Sequence, residues 1–183
     1  MTMSGRWLAI LAVMFGLAAA PAAAQDATDR AAIQARVDRF GQTLVNKDYA
    51  GMYSLTMAPA MLKIFHDRYG LSETQIREGV IQGAERAMSD GIVIIEQVID
   101  MSAARPVATP DGSPDYVLIP TTVLMDVEGV GRIRTRNHTL AVRDGGQWYL
   151  LRIEDESQIE VIKAAYPALA AVDFPTGTVE DVQ

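Results

Sequence analysis

The hydrophobic period changes once along the chain, near Gly91, and that change constrains the fold more than any other feature. Before it, apolar residues recur every three or four positions: Ile33, Val37, Phe40 and Leu44 share one helical face, and Ile76, Val80, Ala84, Ala87 and Met88 share another. After it the pattern is that of strands. The stretch "IVIIEQVIDM" (92–101) is rich in β-branched residues, and further strands are expected at Tyr116 to Val127, Arg132 to Arg143 and Gln147 to Ile153. Helices first and an antiparallel meander second make an α+β chain, with helices packed on one face of a sheet.

Punctuation sharpens the boundaries. The triplet "NKD" (46–48) breaks the first helix, and Asp48 can cap a short turn around Tyr49, Met52 and Tyr53. Pro59 suits the first position of a third helix, and Ser72 with Gln75 forms a capping box that opens a fourth, stopped at Gly91. "RPVATPDGSPD" (105–115) reads as a loop, while the glycines of "EGVG" and "DGG" supply the positive φ of tight hairpins. Ser157 with Glu160 predicts a cap for a last short helix carrying Ile159, Ile162 and Ala165, ended by Pro167.

The first 24 residues are read as a secretory signal peptide: Arg6, the apolar run Trp7 to Ala20, then Pro21 and the small residues Ala22 to Ala24. The run is shorter than the roughly 20 residues of a membrane-spanning helix, and no second such run follows, so no stable membrane insertion is expected once the signal is removed. Export places the protein in the periplasm or outside the cell. The chain has no cysteine, which excludes a disulfide framework and an acylated-cysteine anchor. The remainder is expected to be a single domain over 25–171, followed by a C-terminal tail, 172–183, whose acidic composition favours a loose segment. The 16 basic residues, one of them Arg6, stand against 23 acidic ones, a balance that repels phosphate backbones and makes nucleic acid an unsuitable partner.

"VDRFGQTLVNKDYAGMYSL", followed by helices and then by strands ending in "DGGQWYLLRI", resembles the NTF2-like (cystatin-like, SnoaL-type) superfamily over roughly Thr28 to Glu156. The resemblance implies N-terminal helices packed into a curved antiparallel sheet of four or more strands, a cone-like architecture. It implies no single activity, because such cones host isomerases, hydratases and non-catalytic binding modules alike. In isomerase-like members a carboxylate base faces a tyrosine or acidic donor inside the cone. Tyr49, Tyr53, His66 and Asp67 are the early polar residues of suitable type, but Tyr49 and Tyr53, four apart, read as packing residues, and His66 reads as a cation at a helix C-terminus. We therefore assign no catalytic residue from sequence. Two histidines without cysteine offer no recognisable zinc spacing, and neither a nucleophile elbow nor a P-loop is present, so no metal and no cofactor are expected.

The remaining chemistry lies in "RIRTRNH" (132–138), which puts Arg132, Arg134, Arg136 and His138 on one side of a strand. With three-residue loops at "GVG" and "DGG", Glu128 is expected opposite Arg132, Asp126 opposite Arg134, Arg136 opposite Glu154 and Leu140 opposite Leu150. One face then runs from Leu140, Trp148 and Leu150 to the charged end, and the other, with Val117, Ile119, Ala141, Tyr149, Leu151 and Ile153, is the face to be buried. On that register the arginine row is a solvated or interfacial ladder. Its alternative is a ligand site of Arg134, Arg136, His138, Trp148 and Arg152 for an amphipathic or anionic molecule, a greasy slot with arginines at its mouth. The role expected from the sequence is non-catalytic binding or interaction, of a small ligand or of a second copy through the sheet; the alternative is a cofactor-free isomerase or hydratase working inside the cone.

Overall fold

The computed structural model describes residues 27–113 and 115–182; the expected signal peptide lies outside them. Four helices come first: α1 (Ala27–Val45), α2 (Tyr49–Thr56), α3 (Pro59–Tyr69) and α4 (Glu73–Ser89). Strands β1 (Ile92–Ile99), β2 (Arg105–Pro106), β3 (Tyr116–Val127), β4 (Gly131–Asp144) and β5 (Gln147–Ile153) follow, then α5 (Glu156–Ala165) and β6 (Thr178–Asp181). The architecture is α+β and cone-like, with helices packed on a curled antiparallel sheet that forms a half-barrel.

Local chemistry explains most boundaries. Lys47 takes a left-handed conformation, and Asp48 accepts from Gly51 N, so the chain turns between α1 and α2 where "NKD" predicts. Pro59 starts α3, left-handed Gly70 ends it, and the Ser72–Gln75 capping box is complete. The cap of α5 differs from expectation. Asp155, not Ser157, accepts from Gln158 N, and the Ser157 hydroxyl donates to the same carboxylate, so the helix starts before the predicted box.

The sheet is built on two long strands. β3 and β4 pair along their whole length, and each carries two shorter strands on its outer edge: β2 and β1 on β3, β5 and β6 on β4. The first hairpin loop has the expected three residues, but they are 128–130, and Asp126 therefore faces Arg132 while Leu124 faces Arg134. The second hairpin overturns the expected register. Gly145 and Gly146 alone form its loop, both at positive φ, as a two-residue turn of primed type requires. Leu140 consequently faces Leu151, not Leu150, and a one-residue slip exchanges the two faces of β5.

Two cores result. On the arginine face of the sheet, Tyr116, Leu118, Leu140, Val142, Leu151 and Ile153 pack with Ile162, Tyr166, Leu169 and Phe174 from α5 and the segment after it. On the opposite, threonine face, Val117, Ile119, Ala141, Trp148 and Leu150 pack under Ile33, Val37 and Phe40 of α1. α1 is tied down by Asp29, which accepts from Arg143 at 3.1 Å; the same guanidinium bonds Asp115 at 2.6 Å and lies over the Trp148 ring.

The tail is not loose. Phe174 is buried in the arginine-face core, Gly177 N donates to Glu154 O at 2.9 Å, and β6 pairs with β4 at Ile133 to Arg136. Composition misled because four cross-strand pairings with the distant β4 and one aromatic anchor hold a polar segment whose residues are exposed. The ordered body thus runs past residue 171.

Asp144 links three elements. Its Oδ2 accepts from Ala60 N at the start of α3, at 2.8 Å, and from the Tyr166 hydroxyl at 3.2 Å. Asp144→Ala is expected to lower stability by about 2 kcal/mol and Tyr166→Phe by about 1 kcal/mol, because the first orphans two donors and the second leaves Ala60 N satisfied. Urea denaturation of both variants measures the difference; equal losses would show that the link to α3 contributes nothing.

Candidate functional site

The sheet divides the five residues of the expected site. Arg134, Arg136 and His138 point to the arginine face, whereas Trp148 and Arg152 belong to the threonine face because of the β5 register. Arg136 is exposed and pairs with Glu180 of β6, and Arg134 stands beside Glu180 in the same ladder. The open half of the arginine row thus carries the cross-strand charge partners that a solvated ladder needs, from β6 rather than from Glu154. Trp148 is buried under α1.

His138 sits where the open row meets the core, opposite Pro120 and Ile153. Its Nδ1 is buried without a partner, and burial, ahead of the neighbouring Arg105, pulls the imidazole below its ordinary pKa. A depressed histidine adds stability that is present above its unfolded value of about 6.5 and is lost as pH falls through the folded value. The wild type is accordingly expected to lose more stability than His138→Phe between pH 7 and pH 5, measured by urea midpoints at each pH.

Arg152 lies at a pocket. A cavity of about 400 Å³ opens between the threonine face, α1, α2, α3 and α5, within the size range of small-molecule sites. Phe40, Met52, Met57, Met61 and Phe65 line its apolar wall. Its polar lining residues are Thr56 on α2, Thr121 and Thr139 on the sheet, Ser157 and Gln158 at the start of α5, and Arg152. Arg152 is exposed and pairs with Glu154.

The helices shape this cavity for local reasons. The α2–α3 break at Met57 and Ala58, set by Pro59, turns the chain so that methionines from both helices reach one space. Their unbranched thioethers fill irregular volumes and adapt to what enters. On the sheet, the buried hydroxyls of Thr121 and Thr139 share a hydrogen bond at 2.8 Å, and Thr121 Oγ1 also lies 3.3 Å from Ile119 O. No local signal pairs residues 52–65 with residues 121 and 139.

The early polar residues do not gather into a catalytic pair. Tyr53 is buried with its hydroxyl unpaired, and burial raises its phenol pKa, ahead of the opposed effects of Glu73 and Arg77. His66 and Asp67 are exposed on α3, where His66 Nδ1 contacts Leu71 O and Asp67 pairs with Lys63. Among the described residues, no cluster of three or more histidines and carboxylates could hold a metal ion, and no helix is long and apolar enough to cross a membrane.

The hydroxyl pair supplies a test of the pocket floor. Thr139→Val is expected to cost about 1 kcal/mol by leaving the Thr121 oxygen one bond short, and adding Thr121→Val is expected to cost little more, since both partners then become apolar and isosteric. Chemical denaturation of the single and double variants checks this; an additive loss would contradict the assigned bond. Compared with protein-family models, curated proteins and solved structures, the chain matches none.

Proposed function

We propose that the protein is an exported, non-catalytic binding protein of NTF2-like type, which holds an amphipathic molecule in the cavity between its sheet and helices. The observation that carries this reading is the methionine- and phenylalanine-lined space of about 400 Å³ with one guanidinium among its lining residues. An apolar body fits against Phe40, Met52, Met57, Met61 and Phe65, and an anionic or hydrogen-bond-accepting head fits at Arg152, whose fork of donors is only partly used by Glu154. The helices-then-curled-sheet order agrees with the resemblance stated above, and the leader sequence with export.

The isomerase or hydratase alternative requires a base inside the cavity. The described lining offers hydroxyls, an amide and a guanidinium, and neither a carboxylate nor an imidazole, so it suits holding a molecule better than abstracting a proton from one. The expected site residues are thereby narrowed to Arg152, with Trp148 as core and Arg134, Arg136 and His138 on the other face of the sheet.

Titration with dodecanoate, followed by displacement of a fluorescent fatty-acid probe, tests the reading. Saturable binding is expected, weakened about tenfold by Arg152→Gln and strongly by Met57→Trp, which fills the cavity. Absence of saturable binding, or binding indifferent to both variants, would remove the proposal. Native mass spectrometry of the exported protein separates a retained small molecule from a bare dimer.

A further inference from the structure

Methionine collects in one place. Among the described residues, Met52, Met57 and Met61 line the cavity, and Met88, Met101 and Met125 do not. The three lining methionines lie on α2, at its C-cap and in the first turn of α3, so a single break in the chain at Ala58 and Pro59 presents all of them to one space. Each is half-buried, whereas Met101 is 7 % exposed and sits in the core beneath α1. A small solute that enters the cavity therefore meets residues 52, 57 and 61, while Met101 is screened from it.

The chain has no cysteine, so the thioethers are its softest nucleophiles. With hydrogen peroxide the sulfur lone pair attacks one peroxide oxygen, the S–O bond forms and the O–O bond breaks. The departing hydroxide takes the remaining proton, so one peroxide yields one sulfoxide and one water, sulfur being oxidised and peroxide oxygen reduced. The new oxygen is a strong acceptor set in a wall that otherwise consists of Phe40, Phe65, Ile99 and Leu150, side chains that offer it no donor. It must be hydrated, and water is then held where an apolar chain would lie.

We propose that Met52, Met57 and Met61 form a methionine oxidation site, at which peroxide converts the cavity wall to sulfoxides and weakens its hold on an apolar chain. A bound chain covers the same side chains, so occupancy and oxidation oppose each other. The place of modification rests on the cavity alone; the effect on a bound chain rests on the binding function proposed above.

Treatment of the exported protein with hydrogen peroxide, with and without dodecanoate, tests the proposal, with peptide mass spectrometry following each methionine and circular dichroism verifying the fold. Met52, Met57 and Met61 are expected to gain one oxygen each about tenfold faster than Met101, and dodecanoate is expected to slow them and not Met101. The oxidised protein is expected to bind a fluorescent fatty-acid probe about tenfold more weakly. A variant with Met52→Leu, Met57→Leu and Met61→Leu, close to volume-conserving, is expected to bind the probe equally before and after peroxide; if it does not fold, Met57→Leu alone is expected to reduce the loss. Equal rates at Met101 and the cavity methionines in the folded protein overturn the site. Preferential oxidation with unchanged probe affinity overturns its effect on the wall, as does unfolding of the treated protein. Failure of the untreated protein to bind the probe overturns the binding function and the opposition to occupancy, and the relative oxidation rates still decide the site.

Discussion

The two-residue turn at Gly145 and Gly146 decides where nearly every functional side chain of the C-terminal half points. Both residues need positive φ, which glycine adopts without steric cost, and the resulting loop sets Asp144 against Gln147. With that pairing fixed, Trp148, Leu150 and Arg152 face α1 and the cavity, and Tyr149, Leu151 and Ile153 face α5 and the C-terminal segment. A loop longer by one residue would send Arg152 into an apolar core and Leu151 toward the α1 side. The whole strand would have to bury a guanidinium, an arrangement far less favourable than the one observed.

Cover on both sides explains the composition of the sheet. Near this turn β4 reads Leu140, Ala141, Val142, with no polar alternation, because α1 lies on one face and the C-terminal segment on the other. Toward its opposite end β4 alternates, and the arginines begin where the second cover stops. β6 then supplies Glu180 against that row and also pairs an edge of β4 that would otherwise stay open. The dry and wet portions of one strand thus follow from which segments reach it.

Elements with local signals were legible from sequence and the relations between them were not. Pro59, Ser72 with Gln75, and "NKD" place helix ends through bonds within four residues, and the strand bounds at Tyr116, Val127, Gln147 and Ile153 coincide with those observed. The register of β5 failed because "DGG" supports loops of two or three residues equally well, and parity amplifies that single residue into an exchange of faces. Charge pairing between Asp126 and Arg134 was a weak guide for the same reason: Asp126 is exposed, and exposed pairs contribute too little to fix a register. Of the candidate ligand-binding residues, Arg152 reaches the cavity.

The division of each long strand's outer edge between two short partners has a mechanical consequence. β2 and β5 brace one end of the β3–β4 pair, and β1 and β6 brace the other; among the described strands only β3 and β4 run through both ends. Near Ile119 and Asn137 one set of partners gives way to the other, so the β3–β4 pair has fewer lateral bonds there to resist bending. Thr121 and Thr139 sit beside that changeover. A bend at this place would alter the space above the two threonines without breaking a helix or separating the central pair.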